Sequence, residues 1–247
     1  MTLREELERS GNWLFRWRSY LPVLMILPGV LAVNDFHGGR YADADVDAWG
    51  LICLAISLAG LAIRAVTVGY VPKGTSGRNT REGQVADSLN TTGMYSLVRH
   101  PLYLGNFITW IGISLYPQHW WLCVIFVLAF WLYYERIVFA EEEFLYRKFG
   151  QRWLDWARQT PTFIPRLWGW KQPDLPFSLR SVLRREYSGL MSVIGCFYGL
   201  ELYSHAVAQH RLVVHPLWSA IFFAGAAVYL TLRTLKKTTS LLDVEGR

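Results

Sequence analysis

Two short stretches hold the side chains best suited to chemistry. The first is Arg99-His100-Pro101-Leu102-Tyr103, flanked by Gly93, Tyr95, Leu97 and Gly105; the second holds Glu135, Arg136, Glu141 and Glu142. Arg99 and His100 stand where a polar loop gives way to an apolar segment, and Pro101 suits the first turn of a helix, whose free amide donors can meet an anion. Only Pro117-Gln118-His119 separates the apolar segment 101–116 from the next one, 120–139. That spacing predicts an antiparallel hairpin with a very short turn, which returns the second cluster to the first. Arginines that can grip an anion and carboxylates that can hold an amine or a hydroxyl would then share one pocket at the water–lipid boundary.

The elements that must position these groups are membrane spans. Hydrophobic residues make up 52% of the 247, with 12 tryptophans, and they collect in blocks too long for buried strands. Six blocks read as spans: 17–34, 49–71, 101–116, 120–139, 188–208 and 216–235. The first and third fall short of the usual ~20 apolar residues, so tilt or flanking tryptophans must make up the length. Basic residues gather in alternate connections (1–18, 72–100, 136–187 and 233–247), whereas 35–48 carries four aspartates. Because Lys and Arg accumulate on the cytoplasmic side, both termini and the two long loops are expected there, in the cell inner membrane. The net charge of +6 is thus a consequence of topology and gives no reason to expect nucleic acid as a partner. The polar start makes the first apolar block a retained span rather than a cleaved leader.

Other residues weigh less. Arg64 lies within the second span, where a charge faces protein or a water-filled cavity unless it snorkels to the interface two turns away. Glu201 is expected inside the fifth. Cys53, Cys123 and Cys196 all fall in apolar segments without C-x-x-C spacing, which argues for membrane-buried thiols and against a disulfide or a metal site. Residues 1–18 and the stretch carrying Trp153 and Trp156 have helical amphipathic spacing, expected to lie on the membrane surface. Gly150 is expected to end a helix, Glu143 and Arg147 to form an exposed pair, and the tail 236–247 to be solvated. His215-Pro216-Leu217-Trp218 repeats the pattern of His100-Pro101-Leu102-Tyr103, so His-Pro alone marks a helix start; the argument for function rests on Arg99, the glycines and the paired glutamates.

Taken together, Gly93-x-Tyr95-x-x-Val98-Arg99-His100-Pro101-x-Tyr103-x-Gly105, then Glu141-Glu142-x-x-Leu145-x-x-x-Phe149-Gly150 and a closing 161–165 stretch, resemble the membrane methyltransferases typified by isoprenylcysteine carboxyl methyltransferase and the phospholipid methyltransferases. The likeness covers 89–165. It implies an all-α, polytopic transmembrane helix bundle of about six spans with a cytoplasmic cofactor pocket, one domain over 1–247 with a C-terminal helical pair at 188–235. It implies S-adenosylmethionine as methyl donor, with Tyr95, Leu97, His100, Tyr103, Glu141 and Glu142 around it. Arg99 and Arg136 would face the acceptor, and Glu135 would join the glutamates as a candidate base. The implied partner is a lipid or lipidated acceptor at the inner leaflet, with an anionic head group such as a lipid A phosphate or a carboxylate. The family often has tyrosines where this chain has Trp153 and Trp156, which removes a hydroxyl there.

Two rivals stand beside this reading: a nicotinamide-dependent reductase of the sterol-reductase type, which resembles the same core, and a non-enzymatic membrane protein whose charges merely satisfy helix ends.

Overall fold

The structure is a computed structural model that describes residues 2–18, 28–29, 31, 44–75, 79–80, 83–84, 86–209 and 215–247. Its elements are α1 (Leu3–Trp17), α2 (Ala44–Tyr70), the two-residue strands β1 (Asn79–Thr80) and β2 (Gly83–Gln84), a 3-10 turn (Gly93–Ser96), α3 (Pro101–Leu115), α4 (Trp120–Phe149), α5 (Gln151–Gln159), α6 (Leu179–Gln209) and α7 (Pro216–Thr238). The strands pair antiparallel in a minimal hairpin; among the described residues all other regular structure is helical.

Among the described residues four helical stretches are long and apolar enough to cross a membrane: Ala48–Tyr70, Trp120–Phe149, Leu179–Val207 and Pro216–Thr238. Large apolar side chains such as Leu128, Trp131, Phe223 and Leu230 stand exposed along them, as lipid-facing surfaces require. The protein is an integral membrane protein. The expected third span proves to be a helix of 15 residues, about 22 Å long, which is short of the bilayer's hydrocarbon thickness. The expected first span, 17–34, lies largely outside the described residues.

Helices α2 and α3 make the most extensive pair, and small residues explain why. A Cβ on Gly60 would sit 2.5 Å from the Gly105 carbonyl oxygen, and one on Gly112 would sit 2.5 Å from that of Cys53. At this close approach Ser57 Oγ donates to the Thr109 carbonyl at 2.8 Å and Thr109 Oγ1 donates to that of Ser57 at 3.2 Å. Small residues and interhelical hydrogen bonds are what hold helices together in lipid, where apolar burial gives no drive.

The α3–α4 bend is as short as expected. Away from it, Glu201 is buried and accepts from the Tyr116 hydroxyl, and His205 Nε2 lies 3.0 Å from its other oxygen. Cys53, Phe197 and Trp218 pack around Tyr116.

Several peripheral expectations change. A capping box formed by Thr2 and Glu5 starts α1, but instead of merely resting on the membrane the helix docks on α4, burying Gly11 and Phe15. The expected Glu143–Arg147 pair is present at 3.8 Å, and each member also reaches α1: Glu143 binds Arg4 at 2.6 Å and Arg147 binds Glu8. Gly150, at φ +55°, ends α4, a conformation that favours glycine. The amphipathic α5 turns Trp153 and Trp156 inward against Leu89 rather than outward to lipid. Residues of the tail fold back too, with Leu242 buried and Lys73 N donating to the Gly246 carbonyl at 2.8 Å.

Candidate active site

Local sequence sets the rim first. The 3-10 turn and the extended residues after it are strapped by the segment following α5. Arg99 N donates to the Pro161 carbonyl at 2.8 Å, Arg166 N to that of Leu97 at 3.1 Å and Gly93 N to that of Lys171 at 2.8 Å. Trp156 Nε1 adds a bond to the Tyr95 carbonyl at 3.2 Å. Pro101 opens α3 at its first position, so the side chains of Arg99, His100 and Tyr103 emerge from a fixed corner.

Against that corner the hairpin brings α4. Arg99 Nη1 lies 2.8 Å from Glu142 Oε1, and His100 Nε2 lies 3.0 Å from the same oxygen. His100 Nδ1 lies 3.7 Å from Glu141 Oε2, to which the Tyr103 hydroxyl donates at 2.8 Å. His100 and Tyr103 stack with their rings 14° apart. Five of the expected residues thus form one continuous polar network across two helices. Arg99 also donates to Thr162 on the strap, while its Nε is buried without a hydrogen-bond partner.

The network borders a cavity of about 590 Å3, within the ~300–1,000 Å3 usual for small-molecule sites. Its walls include Tyr95, Trp156 and Leu89, then Tyr103, Tyr134 and Glu141, and, further along α3, Thr109 and Ile113 together with Cys196 of α6. Burial, with the Glu141 charge second, pushes the Tyr95 phenol above its ordinary range. Its aromatic body is therefore a neutral wall.

Other expected residues fall elsewhere. Leu97 gives its carbonyl to the strap. Glu135 is exposed, and Arg136 donates to the Leu132 carbonyl at 3.0 Å on the side of α4 that receives α1; neither lines the cavity. Helical phase is the reason: Tyr134, Glu141 and Leu145 share the cavity stripe, from which Arg136 is turned about 200° relative to Tyr134.

Sequence reasoning passed over Asn106, Tyr134 and Glu186. Arg64 meets Glu186 in a two-point ion pair, Nε to Oε2 at 2.8 Å and Nη2 to Oε1 at 3.0 Å. Its Nη1 donates to Asn106 Oδ1 at 2.7 Å, and Asn106 Nδ2 donates to the Tyr134 hydroxyl at 3.1 Å. The available signal was charge complementarity: one cation within a span and one anion near the start of another.

The structure thus defines an integral membrane helix bundle that encloses a cavity with both charged and apolar walls. The profile of the phospholipid methyltransferase family matches residues 49–152. The nickel-cobalt-cadmium resistance protein NccN of Alcaligenes xylosoxydans xylosoxydans is 35% identical over 154 residues, 62% of this chain and 68% of that protein. Protein-S-isoprenylcysteine O-methyltransferase of Tribolium castaneum is 27% identical over 184 residues, 64% of each chain; the cobalt-zinc-cadmium resistance protein CzcN of Cupriavidus metallidurans is 34% identical over 116 residues, 46% of this chain and half of its own. The chain thus spans under two thirds of the latter two. No solved structure is a significant match. This chain belongs to the phospholipid methyltransferase and isoprenylcysteine carboxyl methyltransferase family of membrane enzymes.

The family implies S-adenosylmethionine, and the chamber suits it. Glu141 offers acceptors for amine or hydroxyl protons, Tyr95 and Trp156 offer aromatic walls, and the unpartnered Arg99 Nε offers a donor to a ligand oxygen.

Proposed function

We propose that this protein transfers a methyl group from S-adenosylmethionine to an anionic head group of a lipid or lipidated acceptor. The reading rests on the Arg99–Glu142–His100–Glu141–Tyr103 network bordering a chamber that continues into an apolar groove. The donor would supply an electrophilic methyl on a sulfonium sulfur, whose positive charge is lost as the S–CH3 bond breaks and its electron pair returns to sulfur. Little acid–base work then falls to the protein; alignment and exclusion of water are its main tasks.

Tyr103 fixes the Glu141 carboxylate at the cavity wall, so that it meets the donor's polar groups at no further ordering cost, while Glu142 behind it holds Arg99 and His100. Arg99, held by Glu142 and Thr162, keeps its guanidinium at the chamber rim. Trp156 and Leu89 close the chamber to water. The basic side chains Arg18, Arg64, Arg99, Arg185 and Lys236 line the cavity against the carboxylates Glu141 and Glu186, a balance that favours a phosphate or carboxylate over an amine. Such an anion is already a nucleophile and requires no proton removal. On this reading the chamber and both termini face the cytoplasm in the cell inner membrane, and residues 1–247 act as one domain. Esterifying an anionic head group removes a charge that attracts divalent cations, in keeping with the metal resistance for which two relatives are named.

The test is incubation of membranes holding the protein with methyl-labelled donor, followed by extraction of lipids and lipidated proteins. Label should enter an extracted molecule, and Arg99→Ala and Glu142→Ala should abolish it while leaving membrane insertion intact. Undiminished transfer in both variants would remove the site; absence of donor binding by the purified wild type would remove the reaction.

A further inference from the structure

The Arg64–Glu186 pair stands apart from the network that borders the donor chamber. It is also costly, since two charges are taken out of water within the bundle. Packing alone does not call for it: apolar residues would join α2 to α6 at least as well. The chain nevertheless makes room for it, because a Cβ on Gly105 would lie 2.6 Å from Arg64 Cγ. Arg64 keeps 24% of its side-chain surface exposed and lines the cavity, whereas Glu186 keeps 10%. Three of its five N–H donors are committed to Glu186 and Asn106, leaving one N–H on each terminal nitrogen. Below it, Thr109, Trp110 and Ile113 of α3 face Val193 and Cys196 of α6 across the cavity's apolar extension. Ile113 is about 12 Å along α3 from Gly105, the residue that packs against Arg64, depth for roughly the first eight to ten carbons of a hydrocarbon chain. Glu186, Val193 and Cys196 lie beyond the segment that matches the family profile.

We propose that Arg64 is the head-group anchor of the acceptor: its remaining N–H groups bind an anionic oxygen, phosphate or carboxylate, and the α3–α6 groove takes the attached chain. This deepens the methyl-transfer reading and rests on it for the acceptor's role. Glu186 and Asn106 are positioning residues that hold the guanidinium fork at one angle, so that an anion meets an ordered donor pair. Acceptor choice is then written on α6.

The test measures equilibrium binding to purified protein, with and without S-adenosylmethionine, of two acids and their neutral counterparts: farnesylthioacetic acid against farnesol for a prenyl carboxylate, and dioctanoyl phosphatidic acid against dioctanoylglycerol for a phospholipid. Wild type should prefer one acid over its neutral counterpart by at least about tenfold, as a charge-assisted hydrogen bond to Arg64 requires; which acid wins tells the source of the anion. The double variant Arg64→Met, Glu186→Leu replaces the pair by apolar side chains and should keep the fold. It should lose the acid preference while binding the donor within about twofold of wild type. Arg64→Lys should retain part of the preference. Absence of preference in wild type, or the same preference in the double variant, overturns the proposal. Donor binding without acid preference sinks the head-group site alone, whereas acid preference without donor binding sinks methyl transfer and leaves the site standing.

Discussion

His100 and Glu142, 42 positions apart in sequence, meet at 3.0 Å, and the same carboxylate oxygen takes Arg99 at 2.8 Å. One oxygen therefore ties the start of α3 to α4 beside the cavity stripe. Glu142→Gln keeps the shape but weakens both charge-assisted contacts, each worth about 1.5–3 kcal/mol. Methyl transfer measured with labelled donor should fall by about 10-fold or more, while the thermal midpoint moves by only a few degrees.

Gly105→Ala should act on stability and on Arg64 together. Its Cβ would come 2.6 Å from Arg64 Cγ and 2.7 Å from the Gly60 carbonyl oxygen, and forcing a methyl group into packed helices costs about 1–3 kcal/mol. Denaturation in detergent micelles, followed by tryptophan fluorescence, should show that loss. Gly195→Ala, at a position with open space around the added Cβ, should be neutral or stabilising.

The docking of α1 depends on shape more than charge. Arg4 and Arg147 are more than half exposed, so water and salt screen their ion pairs and leave them little to contribute. A Cβ on Gly11, by contrast, would come 2.1 Å from the Arg136 carbonyl oxygen. Gly11→Val should release α1 to limited proteolysis and remove Phe15 from the cavity wall, lowering transfer; Arg4→Ala should do neither.

Tyr95 predicts an alkaline limit. Burial, then the charge of Glu141, raises its phenol above the ordinary value, so the folded protein holds a proton that the unfolded chain releases near pH ~10. Stability from this group is complete below about pH 10 and falls as pH climbs beyond it. Tyr95→Phe should flatten the decline of the thermal midpoint between about pH 10 and 11, with little change at pH 7.

Much of this was legible because it is local. His100-Pro101 marks a helix start, Pro117-Gln118-His119 is too short for anything but a hairpin, and helical periodicity carries Glu141 and Glu142 back to the rim. The same periodicity, applied residue by residue, removes Glu135 and Arg136 from the cavity stripe. The inward turn of α5 and the return of the tail depend on partners distant in the chain, Leu89 and Lys73 among them, which amphipathic spacing cannot name. Arg64 was visible as a charge out of place; its partner 122 positions later was not, because nothing in the intervening sequence states that α6 returns beside α2.

The four-residue bend between α3 and α4 also fixes the geometry of the two arms it joins. Arms joined so tightly at one end open like tweezers, widest at the tips and least near the hinge. Any separation of these two arms is therefore largest where Glu142 meets His100 and smallest beside the bend.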